Sequence, residues 1–553
     1  MLKTKIVSSQ EKIFFDSSID SFDTLEKISA LRGEKLSLQL LHVDSGEGEY
    51  LPIRPFCDLT LGGELSPYAS MREVRCVPVD RPTRPGVDDG QYLRLTPGVY
   101  PDILTPLRYG GKLCPSRDKL RSVWIEVKIP EDLSGEKILT VTLTEPETGV
   151  SHSHSVTVDV IPVSLPEGEM HFTQWFYPDC LATYYNVPMW SDRHFEIVEN
   201  FAKCAVERGR DTLLVPLFTP ALNVLPGFER APSQLVEVRV DNGEYSFDFE
   251  RLGRYLDMCD RVGVKLFEIS HFYQQYQGKY AAHIYATVDG EYKRLFGWET
   301  LALDEEYKRF LRELVGAFVE YMKSRGDDSR CLYHITDEPY LSYIDQYKAL
   351  KGVVADVLSG YRIIDALSDF EFYKEGVLDH PVPTTSSAPK FIEAGVKDLW
   401  VYYACGEVEN YSNCYLAMPT WRTRSIGMQL YKYNIDGFLH WGFNYYNNRA
   451  SGDAINPYME LSGEDWVPAG DCFVVYPDSD GTPLESIRLM TLEEAMQDIR
   501  AMRLAEELYS HEEVVREIEK VLSDELSFTR CAHSSREMLR VREAINEMIK
   551  KKI

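Results

Sequence analysis

The chain has 553 residues, 44% of them hydrophobic and 27% charged, with a formal net charge of −27. That length allows three or four average domains, or fewer if one is a barrel of about 250 residues. So acidic a chain repels phosphate backbones and anionic lipid, which argues against nucleic acid as a partner.

The opening stretch, MLKTKIVSSQEKIFF, starts with two lysines, Lys3 and Lys5, and then has polar residues where an export signal needs about 7 to 15 apolar ones. No stretch reaches 18 uninterrupted apolar residues, so membrane insertion is not expected. Eleven cysteines run from Cys57 to Cys531 without a CxxC pair. That pattern suits reduced thiols in a cytoplasmic setting rather than a disulfide framework or structural zinc.

Residues 1–166 read as a β-sandwich. KLSLQLLHV, RSVWIEVKI, ILTVTLTE and HSVTVDVIPV alternate apolar and polar residues between Pro and Gly breaks, and VSLPEGEMHF marks a boundary near residue 167. Eight short apolar runs then follow, at 170–177, 212–218, 265–273, 331–338, 361–369, 382–387, 398–406 and 436–446. Segments of helical period separate them, which predicts parallel strands with crossover helices. The clearest helix spans 304–325, where Tyr307, Phe310, Leu311, Leu314, Val315, Phe318 and Met322 form a stripe, Asp304 caps the start and Gly326 follows the end. Residues 250–262 repeat that logic before Gly263, whereas the connections around strands five and six are short and weakly periodic. Eight such units over 167–510 predict a (β/α)8 TIM barrel. A capping box at Thr491 and Glu494 opens a further helix, and 511–553 form a C-terminal helical extension with helices at 511–523 and 534–551.

In such a barrel the chemistry sits where strands end. Strand four ends CLYHITDEPY, placing Asp337 and Glu338 at the mouth. Burying even a neutral polar group without a hydrogen bond costs roughly 2–7 kcal/mol, so the pair must face a polar opening, a cation or water. Pro339 biases Glu338 toward an extended or turn conformation, which lets both side chains reach one pocket. Two carboxylates in a partly dry site oppose each other's ionisation and divide into an acid and an anion. Glycosidase carboxylates usually flank the bond about 5 to 5.5 Å apart or further. Sequence neighbours better suit a route in which the sugar's own 2-acetamido oxygen attacks. Taken alone, D-E-P is also a common loop or helix-start tripeptide.

Other strand ends supply pocket candidates. DGFLHWGFNYYNNR offers Trp441, Asn444 and Tyr445; LWVYYACG offers Trp400, Tyr402 and Tyr403, of which alternation requires only one tyrosine to face the mouth; strand three offers His271 and strand one Trp175. Aromatics and a histidine in such runs are equally at home in a core. His334, Asp337 and Glu338 are plausible metal ligand types, but no HxH, HExxH or CxxC spacing supports them, so neither metal nor cofactor is expected. GxSxG, P-loop and GxGxxG motifs are missing from the sequence.

HITDEP, LWVYYACG, AMPTWRTRSIGMQLYKYNIDGFLHWGFNYYN, INPY and GDCFVVYPDSDGTPLESIRL together resemble the catalytic domain of glycoside hydrolase family 123 over about 170–510, and YPDILTP with SVWIEVKIP resembles the β-sandwich preceding it. The resemblance implies a β-N-acetylgalactosaminidase acting on oligosaccharide or glycoconjugate, retaining through an oxazolinium formed by the acetamido group. It implies that Asp337 orients that group and that Glu338 is acid and then base. The alternatives are a glycosidase of the same fold acting on another sugar and a non-catalytic carbohydrate-binding protein with a degenerate barrel. Assembly into a homo-oligomer is left open.

Overall fold

The alternating segments of the first 165 residues pair into two five-stranded sheets. One runs in the order Leu2–Ser8, Lys35–Asp44, Arg121–Lys128, Ala69–Val79, Gly98–Pro106, the other Lys27–Arg32, Ser151–Ser164, Gly135–Thr144, Cys57–Gly62, Lys112–Leu113. Period-two side chains from both, among them Leu38, Leu40, Val123 and Ile125 from the first and Leu139, Val141, Val156 and Val158 from the second, form one buried cluster between them. The computed structural model describes residues 2–44, 56–87, 89–108, 110–275 and 277–553.

The next eight strands are β1 (His171–Gln174), β2 (Thr212–Val215), β3 (Leu266–Ile269), β4 (Cys331–Tyr333), β5 (Arg362–Ala366), β6 (His380–Val382), β7 (Trp400–Tyr402) and β8 (Gly437–His440). All pair in parallel, in the order β6-β5-β4-β3-β2-β1-β8-β7. The two ends meet at a single bridge, Thr384 to Tyr402, with the Tyr402 N–H donating to the Pro383 carbonyl at 3.0 Å and the Thr385 N–H to the Tyr402 carbonyl at 2.8 Å. The result is a nearly closed eight-stranded barrel with helices on its connections. The helix Glu305–Arg325 is capped by Asp304 and stopped by Gly326 in the left-handed region, as its stripe predicts. Between β5 and β6 the helix is one turn, Glu371–Lys374, and after β8 the chain runs through 441–486 before Ile487–Leu508.

Three sequence expectations shift. The extended run at 382–387 is largely a turn, since the Ser387 and Ala388 N–H groups donate to the Thr384 carbonyl; β6 lies upstream and shares only Val382 with it. β4 stops at Tyr333 because the Ile335 N–H turns to the Asp365 carboxylate, 3.0 Å away. The helix expected to open at Thr491 begins at Ile487, capped by the Ser486 hydroxyl on the Leu489 N–H at 3.1 Å; Thr491 is a turn inside it, donating to the Ile487 carbonyl.

The last two helices, His511–Leu522 and Ser535–Lys550, wedge between sheets and barrel, burying Val514, Ile518, Met538, Val541 and Ile545 against Leu31, Ile161 and Met502. An ionic cluster ties the same three regions. Asp498 accepts from Arg424 at 2.7 and 2.8 Å and from Arg542 at 3.0 Å, and Arg542 also reaches Glu34 at 2.6 Å. Burial would raise the Asp498 pKa, but the Arg424 and Arg542 guanidiniums outweigh it and hold it below the ordinary carboxylate range. Asp498→Ala removes the carboxylate that two buried cations share, leaving Arg424 with Glu494 and Arg542 with Glu34, and is expected to cost about 3 kcal/mol in urea unfolding. A loss under about 1 kcal/mol would show that Glu34 and Glu494 compensate.

Candidate active site

Past β4 the chain turns sharply. Glu338, held before Pro339, adopts a left-handed backbone with φ of 46°, and its N–H donates to the Ala366 carbonyl at the end of β5 at 3.1 Å. Pro339 disfavours the right-handed region for its predecessor. Of the extended or turn conformations expected for Glu338 the chain takes a turn, in a left-handed form that costs roughly 1–2 kcal/mol. This single reversal brings two sequence neighbours to one cavity, Asp337 buried and Glu338 exposed.

That cavity, of about 100 Å³, lies at the C-terminal end of the barrel and is walled by Trp175, Gln275, Tyr402, Trp441, Trp466 and Asp471 beside the two acids. Gln275 Nε2 donates to Asp337 Oδ2 at 2.7 Å, and the Tyr402 hydroxyl donates to Glu338 Oε1. Burial, and then the charge of Glu338, push the Asp337 pKa well above the ordinary carboxylate range, against the opposing pull of His334 and Gln275. Asp337 therefore keeps its proton over a range where isolated carboxylates have lost theirs. Glu338 and Tyr402 also border an open groove lined by Tyr340, Ser368, Thr384 and Lys390, so Glu338 stands between an enclosed chamber and a solvent-facing channel.

Beneath the acids lies a fully buried charged network. His334 bonds Glu268 at 2.8 Å through Nε2 and Asp365 at 3.2 Å through Nδ1. Burial alone would lower its pKa, but Asp365 and Glu268 reverse this and raise it to about 9. Glu268 also accepts the indole N–H of Trp175 at 2.9 Å, and Asp365 accepts the Tyr347 hydroxyl at 2.6 Å. The network thus orients one chamber wall and places a cation below Asp337.

Of the residues singled out from sequence, Asp337, Glu338, Tyr402, Trp441 and Trp175 line the chamber. The others lie elsewhere. Asn444 spends its amide on the backbone of Tyr177, accepting its N–H at 2.9 Å and donating to its carbonyl at 3.0 Å, so it is not free to bind hydroxyls. Trp400 begins β7 opposite Gly437, at the N-terminal end of the barrel, away from the mouth. Tyr403 packs outward on Phe438 and His440. Tyr445 is buried, with its hydroxyl on the Asn448 carbonyl and Ser451. His271 stacks on His334 at 4.2 Å below the chamber, and burial holds its pKa well below the ordinary value. Gln275, Trp466 and Asp471 were not singled out; they come from loops whose contact with the site is made only by folding.

Two buried groups have metal-like composition, His271 with His334 and Asp365, and Cys414 with His440 and Asp471. In the first, both His334 nitrogens already serve carboxylates. In the second, His440 Nδ1 accepts from Gln174 Nε2 at 2.9 Å and from the Gly442 N–H at 3.2 Å, which puts the ring proton on Nε2, the atom a metal would need. In a larger cavity at the opposite end of the barrel Lys35 pairs with Glu493 at 2.6 Å, Asp211 with His171 at 2.9 Å, and Arg500 donates to the Pro166 carbonyl at 2.5 Å.

Residues 175–505 match the family model of the glycoside hydrolase 123 catalytic domain. The chain belongs to glycoside hydrolase family 123. Among solved structures, a family 123 glycoside hydrolase from Clostridium perfringens, described for glycolipid glycan hydrolysis, is similar over 100% of this chain and 98% of its own, with 15% identity and a TM-score of 0.75. That likeness is one of fold. A beta-glucuronidase from Parabacteroides merdae aligns with 91% of this chain and 52% of its own at 11% identity and a TM-score of 0.30, too low to carry an argument. None of the curated proteins matches in sequence. Family 123 membership makes this chain a glycosidase with a glycan substrate. No helix among the described residues is long and apolar enough to cross a membrane.

Proposed function

We propose that this family 123 enzyme releases terminal β-linked N-acetylgalactosamine from oligosaccharides or glycoconjugates by a retaining, substrate-assisted route. The observation that carries the reading is the pairing of a buried Asp337, fixed by Gln275, with an exposed Glu338 on the same turn. Neighbouring carboxylates on one turn are poorly placed to flank a glycosidic bond as acid and nucleophile. They suit a sugar that carries its own nucleophile. The acetamido N–H donates to Asp337, which favours its anion, while Glu338 serves as the acid. Glu338, at the border of chamber and groove, gives its proton to the leaving oxygen as the acetamido oxygen closes on C1. It then takes a proton from the water that opens the oxazolinium ring.

In this reading residues 1–166 are a sandwich domain, 167–510 a (β/α)8 catalytic barrel and 511–553 an accessory helical unit. Eleven cysteines without a CxxC pair support a reducing, cytoplasmic setting. The test is a comparison of aryl β-glycosides differing only at C2, combined with a thiazoline mimic of the intermediate. The expected result is turnover only of the 2-acetamido glycoside and competitive inhibition by the thiazoline. Equal turnover of the 2-hydroxy glycoside would overturn the substrate-assisted route.

A further inference from the structure

We propose that Asp471 determines which sugar the chamber accepts by taking a hydrogen bond from the hydroxyl on C4, and that His440 is the positioning residue that holds it in place. The assignment rests on the reading of Asp337 and Glu338 given above.

Asp471 comes from the long segment after β8, and its carboxylate is fully buried in the chamber wall. Both oxygens are held by N–H donors. The Trp441 indole N–H donates to Oδ2 at 3.0 Å, and His440 Nε2 lies 3.3 Å from Oδ1. The direction of that second bond is fixed by the other side of the ring, where His440 Nδ1 accepts from Gln174 Nε2 and the Gly442 N–H. The Gln174 amide is oriented in turn, because its Oε1 accepts from Arg210 Nε at 3.1 Å and Nη2 at 2.9 Å. The whole relay therefore has one donor direction, from Arg210 through Gln174 and His440 to Asp471. A carboxylate oxygen with one N–H donor keeps a second acceptor direction. Asp471 thus offers acceptor capacity to a chamber that Trp441, Trp466, Val467, Ala404 and Cys405 also line. The close approach depends on Gly442, where a Cβ would fall 2.4 Å from the Asp471 carbonyl oxygen.

Topology says which hydroxyl it meets. β4, which leads into Asp337 and Glu338, and β8, which leads into Trp441, are four strands apart in either direction round the barrel, so they face each other across its mouth. Groups acting on C1 and the C2 substituent occupy the β4 wall. In a pyranose C4 lies across the ring from C1, so the opposite wall reads the C4 edge. An acceptor fixed there accepts a hydroxyl in one C4 configuration and leaves its epimer unpaired, and a buried polar group without its partner is a strong means of rejection.

The experiment measures kcat/KM of the full chain on aryl 2-acetamido-β-glycosides that are C4 epimers, and on the 4-deoxy analogue, for wild type and Asp471→Asn. The wild type should turn over the 4-deoxy glycoside about 100-fold more slowly than the preferred epimer, as expected for one hydrogen bond to a charged acceptor. Asp471→Asn should lower the preferred epimer about 100-fold, leave the 4-deoxy glycoside within about threefold of wild type and bring the epimer ratio close to one. The 4-deoxy comparison on wild type needs no folded variant. Wild-type turnover of the 4-deoxy glycoside within about threefold of the preferred epimer, or an equal loss on both substrates in Asp471→Asn, overturns the assignment. No turnover of any 2-acetamido glycoside overturns the underlying reading and this one with it.

Discussion

Glu338→Gln is expected to lower kcat/KM by about 10³- to 10⁴-fold on a β-N-acetylgalactosaminide with a poor leaving group, the scale of general acid catalysis. The amide oxygen still accepts the Tyr402 hydroxyl, so the turn at 338 and the chamber stay in place. What is lost is the proton for the departing oxygen. An aryl glycoside whose leaving group needs no proton should therefore suffer much less in its first step. Its second step, lacking a base, should be restored by azide, which attacks without deprotonation. Equal losses for both leaving groups, without azide rescue, would mean that Glu338 shapes the site and moves no proton.

Asp337→Asn should cost about 10² to 10³ in kcat, comparable with removing one preorganised group that stabilises developing charge. It also carries two independent signatures. Asp337 acts as an anion, and burial with the charge of Glu338 raises its pKa, so the acid limb of the wild-type pH profile should lie above the ordinary carboxylate range. That limb should disappear in the variant. Stability should move the other way. A carboxyl that binds its proton more tightly folded than unfolded weakens the native state as pH rises from the unfolded pKa through the folded one. Removing the ionisable group lifts that cost above this window, so the variant should be the more stable protein at neutral pH, a trade of activity against stability common at active sites. A variant that is less stable than wild type at pH 7, or that keeps the acid limb, would show that Asp337 carries no such strain.

The acids were legible because two signals coincided, an apolar run of strand length and a carboxylate pair before proline. The rest of the chamber was harder for identifiable reasons. Trp400 lies in a strand window, but a window does not say which end of the strand a residue occupies. It opens β7, and a Cβ on Gly437 would fall 2.1 Å from its ring, so it fills the space that glycine leaves at the barrel's far end. Asn444 is a polar residue past a strand end, yet a side-chain amide matches a peptide as readily as a sugar, and here it pairs with Tyr177. Asp471 stands 30 residues beyond Trp441 with no periodicity to connect them.

The fold has a comparable omission. Glu237–Asp241 and Glu244–Asp248 form a hairpin, as do Ile284–Val288 and Glu291–Phe296, and the two join into a four-stranded sheet inserted after β2 and β3. Their signal was present in the sequence. Asn242-Gly243 and Asp289-Gly290 sit at the turns with positive φ at all four residues, the strongest short-range hairpin mark, between alternating segments. The expectation of a plain strand-and-helix alternation left no place for them.

The single bridge that joins β6 to β7 has a consequence for how the enzyme comes into being. Its residue on β7 is Tyr402, whose backbone closes the ring while its hydroxyl holds Glu338. One residue therefore serves both the seam and the position of the acid. Opening that seam would shift the very residue that holds Glu338, so the integrity of the barrel and the seating of its proton donor are tied to one side chain.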